Sequence, residues 1–229
     1  VARTSSRAFI VINTHDHETG EFYFIPAGSP TDMPRLVAER EEGVEYDLDH
    51  HTDSFIIRTN ADGAEDYKLV TAPVAAPARA NWTDLVAYQE GTLVLGTDVT
   101  KDYLVRLERV EGLPRIVVRE WATGQEHAIV MEEEAYALGL GGGYEFDTGT
   151  LRFVYSSMTT PGETYDYDMA TRERVLRKRQ EVPSGHNPAN YVTRRLLAPA
   201  PDGEMVPVTL VHRKDVALPA PTLLYGYGS

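Results

Sequence analysis

Apolar and polar residues alternate along this chain with a period close to two. AFIVIN (8–13), EFYFIP (21–26), DSFIIRTN (53–60), YKLVTA (67–72) and TLVLGTDV (92–99) are short runs rich in β-branched and aromatic residues. The pattern continues in YLVRLERV (103–110), RIVVREW (115–121), HAIVM (127–131), LRFVYSSM (151–158) and TYDYDM (164–169). Turn formers such as His17-Glu18-Thr19-Gly20, Asn60-Ala61-Asp62-Gly63 and Asp147-Thr148-Gly149-Thr150 separate them. Runs of this length between such clusters predict strands. A helical period of 3.6 is scarce, and the one helical turn the pattern suggests lies within 79–90. The chain is predicted to be all-β.

A coarser repeat lies above the strands. Residues 1–43, 44–83, 84–134 and 135–182 each hold about four strands, a period of roughly 40–50 residues that marks propeller blades. Identity between the segments is weak, and on the pattern alone a pair of β-sandwiches fits as well. The character changes near residue 182. EVPSGHNPAN (181–190) carries Pro183, Gly185 and Pro188 and is expected to be a linker over 183–190. Beyond it YVTRRLLAPA and MVPVTLVHRK flank Asp202-Gly203, a strong hairpin signal. LLYGYGS (223–229) is expected to be a buried strand running into a tight loop, so 191–229 begins another sheet rather than another blade.

Composition narrows the functional classes. No run approaches the roughly 18 apolar residues of a membrane helix, and VARTSSRAFIVIN shows no signal-peptide pattern. There are no cysteines, which removes thiolate catalysis, zinc–thiolate sites and a disulfide scaffold. The expected compartment is the cytoplasm, with the periplasm left open. The formal charge of −13 disfavours nucleic acid and anionic lipid as partners and favours cationic ligands.

Three stretches carry a family resemblance. LRFVYSSMTTPGETYDYDMATRERVLRKRQEVP (151–183), YVTRRLLAPAPDGEMVPVTLVHRKD (191–215) and LLYGYGS (223–229) resemble the prolyl oligopeptidase family, most closely its oligopeptidase B (protease II) branch. YDLDHHTDSFIIRTN (46–60) and ANWTDLVAYQEGTLVL (80–95) resemble it more loosely. The resemblance implies a seven-bladed propeller over an α/β-hydrolase domain with a Ser-Asp-His triad. This chain would supply about the last four blades and the first strands of the hydrolase. No Gly-x-Ser-x-Gly elbow occurs, so the nucleophile, acid and His of the triad are expected outside it.

The same resemblance makes Tyr227 an oxyanion-hole donor, a role worth about 3–4 kcal/mol of transition-state stabilisation, and leaves Tyr225 structural. It also implies oligopeptide substrates cleaved after Arg or Lys, a propeller that excludes folded proteins by size, and no metal or organic cofactor. Partners would then be basic peptides, the hydrolase domain and the remaining blades, or further copies meeting open blade faces. A stand-alone binding propeller and a proline-specific member of the family are the alternatives.

Other clusters have simpler expectations. Asp47, Asp49 and Asp53 around His50-His51, and Glu132-Glu133-Glu134, are expected to steer basic peptides at most. His15, His17, His50 and His51 are expected to be loop histidines without metal. Arg172–Arg179 (RERVLRKR) is expected to form an outer strand of the last blade, and GLGGGYEF (139–146) a glycine-rich turn rather than a phosphate loop.

Overall fold

The computed structural model describes residues 1–142 and 145–226. Four antiparallel sheets of four strands each follow one another along the chain. The first contains β1 (Ala2–Arg3), β2 (Phe9–His15), β3 (Gly20–Pro26) and β4 (Arg35–Leu36). The second contains β5 (Tyr46–His51), β6 (Ser54–Thr59), β7 (Lys68–Pro73) and β8 (Thr83–Val86). The third contains β9 (Thr92–Val99), β10 (Tyr103–Val110), β11 (Leu113–Glu120) and β12 (Glu126–Ala128). The fourth contains β13 (Ala137–Leu140), β14 (Thr150–Ser156), β15 (Glu163–Asp168) and β16 (Arg174–Arg179). Within each sheet the strands are ordered as in the sequence, so every connection is a local one. A separate hairpin pairs β17 (Tyr191–Pro199) with β18 (Met205–Arg213).

The apolar runs are explained by sheets stacked face to face. Phe55, Ile56 and Ile57 of β6 are all buried, although neighbouring residues on a strand point to opposite faces. Phe55 and Ile57 pack on Phe22, Phe24 and Val37 of the first sheet's layer. Ile56 packs the other way, on Val94, Val99 and Leu104 of the third sheet. Val105, Ile116 and Val118 in turn meet Leu151, Phe153 and Tyr167 of the fourth. A strand covered on both faces reads as an unbroken apolar run, and each such side chain contributes about 1.5–3 kcal/mol on burial. Polar ties add direction to the stack. The Phe22 amide donates to Tyr46 Oη at 2.8 Å, and Tyr46 Oη donates to the Ala38 carbonyl at 3.2 Å.

Three expectations are corrected. The helical turn in 79–90 is a single 3₁₀ turn, Arg79–Asn81, followed by β8. Trp82 stops it by packing on Tyr46 and donating its indole N–H to the Pro77 carbonyl at 2.9 Å. In 127–131 only His127 and Ala128, the end of β12, are strand; Ile129 then turns into the core as the chain crosses to the next sheet. The described part of LLYGYGS forms no strand, and Leu223 and Leu224 are 88% and 85% exposed because no described strand lies beside them. The hairpin turn has Gly203 at φ 94°, a conformation glycine adopts without steric cost. Among the described residues no helix is long and apolar enough to cross a membrane.

Candidate functional site

Polar chemistry concentrates where the fourth sheet meets the segment crossing to it from the third. The three successive glutamates of that segment go to three different elements. Glu132 pairs with Arg174 on β16 at 2.5 Å. Glu133 turns inward and accepts from Tyr155 Oη at 2.7 Å, Thr160 Oγ1 at 2.5 Å and Thr159 Oγ1 at 3.1 Å. Glu134 accepts from Arg194 Nη1 at 2.8 Å and from the Arg195 amide at 2.9 Å, so it ties the hairpin to the sheets. The run 132–134 is therefore a junction between the last sheet, its 157–160 turn and the hairpin.

Electrostatics at this junction follow from the contacts. Burial pushes the Glu133 carboxyl up, but hydrogen bonds from Thr160 and Tyr155 outweigh it and hold the group below its ordinary range. Burial and the Glu133 carboxylate push the Tyr155 phenol well above its usual value. Burial, then the hydrogen bond to Glu163, raises Tyr165 to about 12. Glu163 is buried and takes Arg179 Nε at 2.6 Å. His186, from the segment after the sheet, donates Nε2 to the Thr159 carbonyl at 2.6 Å and lies against the Tyr191 ring. These groups line a cavity of about 830 Å³.

The aspartate and histidine cluster is divided by the fold. Asp47 is exposed and paired with Arg58, and Asp53 is exposed. Asp49 points inward and accepts from the Ser5 amide and hydroxyl at 2.8 and 2.6 Å. Burial nevertheless raises its pKa, and burial followed by the Asp49 charge raises that of Asp98 on β9. His50 is a core residue, bonded to Ser6 Oγ at 2.8 Å and packed edge-on to Phe9. His51 stacks on Trp121 at 4.3 Å and donates to the Lys101 carbonyl, linking the second sheet to the third. His50 and His51 are thus packing residues rather than loop histidines.

His15 ends β2, and Asp16 Oδ1 caps the turn that follows by accepting from the Glu18 and Thr19 amides. Among the described residues no group of His, Asp and Glu is arranged to hold a metal ion.

Arg174–Arg179 is the outermost strand of the fourth sheet. Its Arg174 meets Glu132 of the crossing segment, and its Arg177 and Arg179 meet Asp166 and Glu163 of β15, so these three arginines are paired within the fold. Gly139 lies in β13, and a Cβ at Gly141 would come within 2.9 Å of Arg152 Cγ and 3.0 Å of its carbonyl oxygen. Close backbone approach, not phosphate binding, accounts for glycine there. Tyr225 is exposed, and Tyr227 lies outside the described residues.

Two features escaped the sequence reading. One is the hydroxyl set around Glu133, which needs the fold to bring Thr159 and Thr160 to a residue more than twenty positions earlier. The other is the buried network of Arg106 with Glu108 and Glu126. Charges two apart in the apolar run YLVRLERV share one face of a strand, and that was its visible signal.

Comparison with known proteins gives a consistent result. The profile of the prolyl oligopeptidase N-terminal β-propeller domain matches residues 1–180. Dipeptidyl aminopeptidase BI of Pseudoxanthomonas mexicana is 41% identical over 232 residues, a match covering 100% of this chain and 32% of that protein. Protease 2 of Moraxella lacunata is 28% identical over 232 residues, covering 100% of this chain and 33% of its own. The chain therefore spans about a third of the length of these curated relatives. Oligopeptidase B from Trypanosoma brucei, solved in a closed form with covalently bound antipain, superposes with a TM-score of 0.90 at 31% identity, over 100% of this chain and 34% of that one.

Proposed function

The chain belongs to the prolyl oligopeptidase family through its N-terminal β-propeller domain, and on that premise we propose that it is the later part of a propeller capping a serine peptidase of short basic peptides. The observation that carries this is architectural. Four face-packed sheets lead through 180–190 directly into the hairpin β17–β18, and the hairpin is anchored to the last crossing segment by Glu134. The blades then act sterically: a ring of sheets over a catalytic domain admits extended peptides and rejects folded proteins. The triad would lie outside this chain, and Tyr227 would donate to the oxyanion. The net charge of −13 would draw basic peptides towards the entrance.

Cleavage after Arg or Lys is supported by the likeness to oligopeptidase B. The greater identity to a relative named dipeptidyl aminopeptidase favours a second reading, release of dipeptides from a free amino terminus. One assay separates them in the full-length protein. An N-terminally blocked arginine amide, the same amide behind a free-amino dipeptide, and a blocked proline amide are compared for kcat/KM. The arginine site is also presented inside a folded domain.

The blocked arginine amide is expected to be cleaved at least tenfold faster than the proline amide, and the folded substrate to resist until it is denatured. Activity only on the free-amino substrate would replace endopeptidase action by dipeptide release. Preference for the proline amide would assign the proline-specific class. Equal cleavage of folded and denatured substrate would remove the cap role. No cleavage of any of them would leave a binding propeller.

A further inference from the structure

The 830 Å³ cavity beside Glu133 has the makeup of a ligand site. Its walls come from the crossing segment 131–133, from β14–β16 and from residues 180–188, which are exposed and form its rim. Met131, Pro161, Val182 and Pro183 supply apolar surface.

Four carboxylates line it, Glu132, Glu133, Glu163 and Glu181, against two guanidiniums, Arg174 and Arg179. Arg174 is taken by Glu132 and Arg179 by Glu163. Glu133 and Glu181 are left, and among the described residues neither forms an ion pair. Among the described residues the charge on Glu133 is met by hydroxyl donors, which solvate it without neutralising it. A half-buried carboxylate without a counter-charge, in a concave site with apolar walls, favours a cation that carries an apolar stem.

We propose that this cavity docks a lysine or arginine side chain of a peptide, its charge meeting Glu133 and Glu181 and its methylenes lying along Met131, Val182 and Pro183. The assignment of a peptide as the ligand rests on the peptidase reading above. The cavity chemistry does not.

The test uses the full-length protein, treated first with a serine-directed phosphonate so that the probe is not hydrolysed. The probe is Ala-Lys-Ala blocked at both ends, titrated calorimetrically beside the same peptide with norleucine for lysine. The lysine peptide is expected to bind about tenfold more tightly than the norleucine peptide, and Glu133→Gln to remove about that factor, the usual scale of a hydrogen bond to a charge. Glu181→Gln, at an exposed position, should weaken binding about threefold without disturbing the 157–160 turn.

Equal binding of the two peptides overturns the proposal, as does wild-type affinity in both variants. Should the phosphonate fail to react while lysine binding still depends on Glu133, the peptidase reading falls and the cavity assignment stands. A protein that reacts but whose lysine binding ignores both substitutions reverses that outcome.

Discussion

Glu108→Ala is expected to cost the protein about 3 kcal/mol or more of stability, the scale of breaking a buried ion pair. Glu108 is 2% exposed and accepts from Arg106 Nε at 2.8 Å and Arg115 Nε at 2.6 Å. Arg106 is 5% exposed at its side chain and also holds Glu126 through two bonds of 2.8 Å. Removing Glu108 lets Arg115 relax towards solvent, but it leaves Arg106 buried with one anion fewer. Glu108→Gln keeps an acceptor without the charge and should lose about half as much. Replacing Arg106 and Glu108 together by Met and Leu should cost less than Glu108→Ala alone, because both desolvated charges leave at once and Glu126, which loses Arg106, keeps Arg119. Denaturant midpoints check all three, and a loss below about 0.5 kcal/mol for Glu108→Ala would show that the network does not stabilise the third sheet.

The same network predicts a pH dependence. The hydrogen bond from Arg106 outweighs burial and holds the Glu126 carboxyl below its ordinary value of 4.5. A depressed carboxyl contributes stability that is fully present above the unfolded value and lost as pH falls through the folded one. The acid limb of the stability curve below 4.5 should therefore be shallower in Arg106→Met than in the parent protein.

Tyr227→Phe in the full-length protein is expected to lower kcat about 10²–10³-fold with KM little changed, the effect of removing one preorganised oxyanion donor. The expectation rests on the resemblance of LLYGYGS, in which Gly226 and Gly228 flank Tyr227. A donor aimed at charge that develops only in the transition state changes kcat rather than ground-state binding. Tyr225→Phe is the control and should change kcat less than threefold. If KM rises while kcat holds for Tyr227→Phe, the tyrosine binds substrate instead.

Much of the architecture was legible because a strand buried on both faces must be apolar at successive positions. Phe55-Ile56-Ile57 and Leu104-Val105 announce sheets stacked on either side. Trp82 was harder, since an aromatic among small residues in 79–90 suits a helical turn until its indole N–H finds the Pro77 carbonyl. The acidic run 132–134 shows why sites are less legible than folds. Local sequence gives three adjacent carboxylates, but their partners Arg174, Tyr155 and Arg194 come from three elements that only tertiary structure assembles. His50 and His51 misled in the opposite sense, because a polar name concealed rings that pack on Phe9 and Trp121.

The proposed function places these sheets in a serine peptidase. Its most direct test is to incubate the full-length protein with a fluorophosphonate, measure its intact mass, and follow hydrolysis of a blocked arginine amide in the same samples. The account predicts one phosphonyl group per chain and activity that falls in proportion to labelling. An unlabelled protein, or hydrolysis indifferent to complete labelling, would contradict it.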